Sequence, residues 1–505
     1  MHSKNFKILN HSVAPSHIFW LFMIVHLGLW VIIPTLVSPN PPLDVIEGYV
    51  WGHEWLIGTY KHPPMQAWWL ESLDILTGHA KYAPFLASQL AILLAFWAVW
   101  QTGLRITDKR TALLGVLLLE GVVYYNLTSP EFNPNVMQLP FWALISLYYY
   151  RSIKENKILD WLLLGACCAG GLYSKYSTVL LLISLTVLTL TRPEGRRKLL
   201  HPGPYIALIV ALLLFLPHLL WLFDNQFLPF NYARERLNSP PHTPLIKSLI
   251  VIPLMFIGSQ VLALLPAVLL FIGLLGHKKK FAETSYSKFD YTFMSTITFG
   301  PCLLVLILVF FAGIQIRDMW ATPFWNFIGL WALLYVRPVL NGYALYRFAY
   351  SGFAILTLLL VMFVAQTYFY PAITNKALRI QFPGQQLADN ITTFWNERYH
   401  RPLIYVIGDS WPAGNIAYFA HDRAHVLIEG NYTFSPWIKA EDLKRQGGIM
   451  VWCIHGCASD NHKDETPPYV HEFPNADIQP PLNLSKNTPF SVKPATIGWA
   501  ILPPQ

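Results

Sequence analysis

Apolar residues in this chain fall in long runs separated by short polar breaks. Eleven runs precede residue 370: 17–37, 83–104, 111–127, 135–150, 158–172, 177–191, 203–223, 248–275, 291–314, 320–336 and 347–368. A helical membrane span needs roughly 20 mainly apolar residues, so the pattern predicts about 11–13 transmembrane helices. Runs 135–150 and 158–172 are short, and several runs contain proline, which lipid tolerates only where protein or a water-filled cavity covers the freed backbone groups. The pattern changes at Tyr370-Pro371. From there to residue 505 short apolar stretches alternate with polar ones. Leu403–Ile407 and Gly448–Ile454 predict strands, Pro412–Ala420 and Lys439–Arg445 predict helices, and Gly408-Asp409-Ser410 predicts a turn. Strands alternating with helices predict a small α/β domain, with the Pro-rich 466–481 as irregular crossings. The expected architecture is an all-α polytopic membrane domain, residues 1–370, followed by a soluble α/β domain, residues 371–505. There is no low-complexity tract and no internal repeat.

Composition agrees with membrane residence: mean hydropathy is +0.38, hydrophobic residues are 54% and charged residues 13%, against about 25% charged in soluble domains. Basic residues set the expected orientation. The breaks on the amino-terminal side of the membrane, with Arg347, carry 18 Lys and Arg, whereas the opposite breaks before residue 370 carry seven: Lys61, Lys81, Lys175, Arg234, Arg236, Lys247 and Arg317. That asymmetry predicts a cytoplasmic amino terminus, with loop 38–82 and the tail on the far side. The net charge of +8 then reflects cytoplasmic anchoring and gives no reason to expect nucleic acid. The first apolar run lacks a small-residue cleavage site, so an uncleaved span is expected rather than a signal peptide. Cys167, Cys168 and Cys302 fall in spans as small core residues. Cys453 and Cys457 favour a disulfide in an oxidising compartment, with zinc through Cys453, His455 and Cys457 as the alternative.

Candidate chemistry concentrates in 38–82, too polar for lipid and rich in tryptophan. Asp44 and Glu47 are three apart and share a helix face. They can form a capping box, take a proton from a hydroxyl, or together hold a divalent cation such as Mg, Mn or Zn. Lys61-His62-Pro63-Pro64 offers a point charge and a donor to a phosphate, held still by tandem proline; Lys61 can equally snorkel to headgroups. Lys175, between Tyr173 and Tyr176, lies between two short spans, where an ionisable group faces a cavity or anchors an interface. Glu131, Asn133 and Asn135 precede a span on the same side and can line a sugar site or cap that helix. Tryptophans 51, 55, 68 and 69 can stack on sugar faces, but an aromatic belt explains most of them.

In order along residues 17–340, the chain resembles the GT-C polytopic glycosyltransferases of the family 39/83 group. That group includes protein O-mannosyltransferases, the lipid A aminoarabinose transferase and the rhizobial lipopolysaccharide galacturonosyltransferases. The resemblance rests on Leu43-Asp44 to Glu47-Gly48, Tyr60-Lys-His-Pro-Pro-Met65, Ser129-Pro-Glu-Phe-Asn-Pro-Asn135 before Phe141-Trp-Ala-Leu144, and Gly171-Leu-Tyr-Ser-Lys-Tyr176. It continues through Leu216-Pro-His-Leu-Leu-Trp221, Asp224-Asn225, Pro229-Phe230 and Trp320-Ala-Thr-Pro-Phe-Trp325.

The resemblance implies inverting transfer of a sugar from a polyprenyl-phosphate donor to a membrane lipid or envelope glycan, on the periplasmic face of the bacterial inner membrane. It maps catalysis, as base or metal-associated carboxylate, onto Asp44 and more weakly Glu47. Donor-phosphate contacts map onto Lys61, His62 and Lys175, with Arg234 and Arg236 as further cations. Glu131, Asn135, Tyr60 and Tyr176 are the sugar or acceptor candidates. The family's second-loop aspartate aligns with Asn135, leaving Glu131 as the carboxylate there. The tail receives no catalytic residue. The rival readings are a protein O-mannosyltransferase-like enzyme, a ligase or polymerase with a lipid pyrophosphate donor, and a transporter or flippase. Midplane ionisable groups and repeats would mark the last.

Overall fold

The computed structural model describes residues 6–8, 11–237, 247–275, 286–312, 316–457 and 468–505. Helices occupy every predicted span. Among the described residues, six are long and apolar enough to cross a membrane: Pro15–Val37, Ala83–Ile106, Gly203–Asp224, Leu249–Leu274, Lys288–Phe311 and Gly342–Thr374. A 22-residue helix, Pro134–Glu155, and two shorter ones, Ile158–Ser174 and Thr178–Thr191, cover three further runs. Two expected spans are broken. The run 111–127 becomes a nine-residue helix, Lys109–Leu117, and two tight turns. The run 320–336 divides into a 3₁₀ segment, Asp318–Phe327, and a nine-residue helix, Ile328–Val336. Gly121 lets the broken segment pack closely on the Ile252–Leu274 helix, because a Cβ there would lie 2.4 Å from the Ala267 backbone. Within the bundle, His26 and Glu120 meet at 2.7 Å, tying the first helix to the broken segment.

The expected boundary at 370 falls inside a helix, since Gly342–Thr374 continues through Pro371. Beyond it, five strands form a mixed sheet: β3 (Tyr405–Gly408), β4 (His425–Ile428), β5 (Gly448–His455), β6 (Asp477–Leu484) and β7 (Ala495–Leu502), the first two strands, β1 (Phe6–Ile8) and β2 (His11–Val13), forming a separate hairpin. The order is β4-β3-β5-β7-β6, parallel from β4 to β5 and antiparallel from β5 to β6. β5, GIMVWCIH, is apolar almost throughout because it is central and covered on both faces. β6 contradicts the expectation of an irregular crossing: Pro480 and Pro481 are tolerated because β6 is an edge strand, and its register shifts between Gln479 and Leu482. Cys453 and Cys457 form a disulfide, which removes both thiolates from the zinc alternative.

The loop 38–82 folds into two helices, Leu43–Gly52 and Met65–Leu76. They share a core with the sheet domain: Ile46, Val50, Trp51 and Ala67 pack in one cluster with Trp411, Ala413 and Ile416. Gly414 permits this closeness, since a Cβ there would stand 2.7 Å from the Ile46 side chain, while Gly48 lets the two loop helices approach, a Cβ there standing 2.5 Å from the Gln66 side chain. Trp51 is buried, and the Trp68 and Trp69 indoles donate to the carbonyls of Leu56 and Ala87. Of the four belt tryptophans, only Trp55 is exposed, at 50%.

Candidate active site

Pro42 is the N-cap of the Leu43–Gly52 helix and Asp44 lies in its first turn, where the helix dipole favours a carboxylate. The capping box allowed by the Asp44–Glu47 spacing does not form, because proline occupies the cap position and offers no side-chain acceptor. Glu47, one turn on and buried, reaches instead to Lys61, with Nζ 2.7 Å from Oε2. Gln66 fixes the helix start by donating to the carbonyls of Asp44 and Phe132, each at 3.2 Å.

The basic turn is built by Thr59. Its Oγ1 accepts from the amides of Lys61 at 3.3 Å and His62 at 3.0 Å, and donates to the His62 carbonyl at 2.8 Å. Pro64 then caps the Met65–Leu76 helix. Gly58 brings the turn against Trp221, whose ring would lie 2.2 Å from any Cβ at that position. Burial alone would lower the Lys61 ammonium, yet Glu47, Tyr232 and Asp44 hold it above its ordinary value. Burial, then Lys61 and Lys175, push His62 well below the ordinary imidazole range. At neutral pH this site therefore contains a charged lysine beside a neutral histidine that can donate one N–H.

Two further segments complete the cluster. The Asp44 backbone amide hydrogen-bonds Glu131, and burial followed by the Asp44 charge raises the Glu131 carboxyl to about 7, against the opposing pull of Arg379. Asn133 caps the Pro134–Glu155 helix through the amides of Asn135 and Val136, so of the pair only Asn135 is left to reach another element. Its Oδ1 accepts from Lys175 Nζ at 2.5 Å. Lys175 ends the Ile158–Ser174 helix as its C-cap and lies 5.4 Å from the Trp320 ring centroid. Burial lowers its ammonium to about 7, with Asp44 opposing and Arg317 reinforcing the shift. Asp44 thus influences Lys61, Lys175 and Glu131 together.

Tyr60 and Tyr176 are engaged by neighbouring rings. The Tyr60 ring stacks on Phe434 at 4.2 Å and meets Tyr232 edge-on at 5.7 Å. Tyr176 bonds His218 Nε2 at 2.8 Å, and His218 Nδ1 is 2.7 Å from the Ile57 carbonyl. Arg234 is exposed on the Leu228–Leu237 helix and has no ion pair among the described residues. Arg236 falls in the same helix, but its side chain lies outside the described ones. What that helix brings to the site is Tyr232, 5.9 Å from Lys61 Nζ. Sequence reasoning missed Tyr232 and the part played by Arg317 and Arg379. Each stands outside any motif, and Arg379 lies in the tail that was given no role. The Asp44–Glu47 pair does not fit a divalent cation well, because an ammonium already sits on the Glu47 carboxylate.

Residues 61–221 match the family described as dolichyl-phosphate-mannose-protein mannosyltransferase. Lipopolysaccharide core galacturonosyltransferase RgtA of Rhizobium johnstonii is 25% identical over 207 residues, 41% of this chain and 42% of that relative; the match thus spans less than half of its length. RgtB of the same organism is 22% identical over 475 residues, 91% of each chain. The crystal structure of ArnT from Cupriavidus metallidurans bound to undecaprenyl phosphate superposes with a TM-score of 0.59 at 13% identity, covering 96% of this chain and 98% of that one. The overall fold is therefore shared with ArnT.

Proposed function

We propose that this chain, whose residues 61–221 form a domain of the dolichyl-phosphate-mannose-protein mannosyltransferase family, is an integral-membrane glycosyltransferase. It transfers a sugar from a polyprenyl-phosphate donor to lipopolysaccharide or another envelope glycolipid. The reaction is a single displacement with inversion. An acceptor hydroxyl attacks the anomeric carbon, the bond from that carbon to the phosphate oxygen breaks, and its electron pair leaves with the phosphate. The hydroxyl proton passes to the Asp44 carboxylate.

A phosphate monoester leaves readily once its growing charge is compensated, and fixed cations in a partly buried site do this best. Lys61 and Lys175 are the compensating cations, with His62 as a neutral N–H donor. Arg317 and Arg379 extend the positive field. Glu131 faces Asp44 as a second carboxyl, protonated below about pH 7, and orients the acceptor.

One observation carries this reading: Asp44 acts electrostatically on Lys61, Lys175 and Glu131, residues from three separate segments. The lysine and arginine asymmetry supports a cytoplasmic amino terminus and a periplasmic site in the inner membrane. The family's name favours a second reading, a protein acceptor in the same chemistry. Mass spectrometry of envelope glycolipids from a deletion strain tests the first. Loss of one sugar from a lipopolysaccharide component is expected, whereas an unchanged glycolipid profile would overturn it.

A further inference from the structure

We propose that His53, Glu54 and His425 form a structural site for a borderline divalent cation of the Zn2+ kind, clasping loop 38–82 to the C-terminal sheet. Each offers a ligand atom, and the three atoms lie within 4.8 Å of one another; among the described residues they are the one such group. His53 is the C-cap of the Leu43–Gly52 helix and Glu54 follows it, while His425 opens β4. The ligands thus come from the two units that share a core.

The donor chemistry selects the ion. Two imidazoles and one carboxylate suit zinc and disfavour magnesium or calcium, which prefer oxygen. Zinc is four-coordinate and tetrahedral, so a water completes the shell around the three protein ligands. Glu54 Oε1 and His425 Nδ1 already meet at 2.6 Å. Ligands about 2.1 Å from a tetrahedral ion stand roughly 3.4 Å apart, so small side-chain rotations convert the hydrogen bond into coordination, with release of its proton.

The surroundings orient the ligands. His53 Nδ1 faces Glu71 Oε1 at 3.8 Å, and Arg423 grips both Glu71 oxygens at 2.8 Å. A carboxylate behind a ligating imidazole fixes the ring and strengthens its donor. Arg423, two residues from His425, is occupied by Glu71, so its guanidinium is already neutralised. The His53–Glu54 end lies one ten-residue helix, about 15 Å, from Asp44. A metal there anchors the helix that carries the catalytic carboxylate without touching substrate.

The test uses full-length protein in detergent, without a polyhistidine tag, stripped with EDTA and exposed to Zn2+ alone. Elemental analysis after desalting is expected to give one zinc per chain, with a rise of several degrees in unfolding temperature. The double variant His53→Ala/His425→Ala is expected to lose both, and Glu54→Gln to bind about tenfold or more weakly. Co2+ titration of the unmodified protein requires no substitution and is expected to give visible d–d bands that Zn2+ abolishes. Substoichiometric zinc in the wild-type protein, no cobalt bands, or undiminished zinc in a folded double variant would each overturn the proposal.

Discussion

The Lys61 ammonium lies 2.7 Å from a carboxylate oxygen of Glu47, with side-chain exposures of 19% and 7%. This pair joins the helix that carries Asp44 to the proline-stiffened turn. Breaking a buried pair from one side leaves an uncompensated charge and costs about 3–5 kcal/mol. Lys61→Met is therefore expected to lower the unfolding temperature in detergent markedly. Lys61→Met/Glu47→Leu is expected to regain most of that stability while remaining inactive. Recovery of activity in the double variant would show that Lys61 serves only to neutralise Glu47.

Glu131 predicts a pH-dependent stability difference. Its folded value, about 7, lies above the ordinary carboxyl value near 4.3. The group's favourable contribution is thus complete below about pH 4.3 and lost as pH rises through about 7. Glu131→Gln cannot ionise, so it is expected to match wild type near pH 4 and to exceed it by about 1–2 kcal/mol at pH 8, after discounting for partial exposure. Unfolding temperatures across that range measure this. A difference independent of pH would contradict it.

Lys175 predicts the alkaline limb of the rate. Burial lowers its ammonium to about 7, so free enzyme loses this cation as pH rises through that value. The profile of kcat/KM is expected to fall above about pH 7. Lys175→Met is expected to abolish that limb and lower the rate at pH 6.5 about 10²-fold. Asn135→Ala, which removes the acceptor at 2.5 Å, is expected to have a smaller effect of about tenfold.

Arg423 and Glu71 tie the C-terminal sheet to loop 38–82 through two bonds of 2.8 Å. Burial alone would raise the Glu71 carboxyl, but His53 and Arg423 hold it below the ordinary range. Arg423→Ala is expected to cost about 3 kcal/mol by stranding that carboxylate. Limited proteolysis should then cut the released loop. Unchanged protease resistance would separate the tie from the stability of the loop.

Much of this site was legible because its parts are close in sequence or stand at span ends. Asp44, Glu47, Lys61 and His62 lie within one polar loop, and Lys175 interrupts two apolar runs. The spacing of Asp44 and Glu47 correctly placed them on one helix. It could not reveal that Glu47 faces Lys61, a contact across 14 positions set by tertiary packing. Arg317 and Arg379 carried no motif, since a single basic residue at a membrane edge looks like any anchoring charge.

The sheet domain shows the same division. β5 announced itself through a continuous apolar run. β7 contains Gly498, which lets the strand lie against Trp452, 2.2 Å from where a Cβ would stand. The tandem proline of β6 argued against a strand until its edge position was known.

The most direct test of the central claim is release of free polyprenyl phosphate from a polyprenyl-phosphate sugar by purified protein in lipid vesicles with an envelope glycolipid acceptor. Wild type is expected to release one polyprenyl phosphate per sugar transferred. Asp44→Asn is expected to retain donor binding and lose at least about 10²-fold in rate. Wild-type rates in Asp44→Asn, or sugar appearing across the membrane with no free polyprenyl phosphate, would contradict the account.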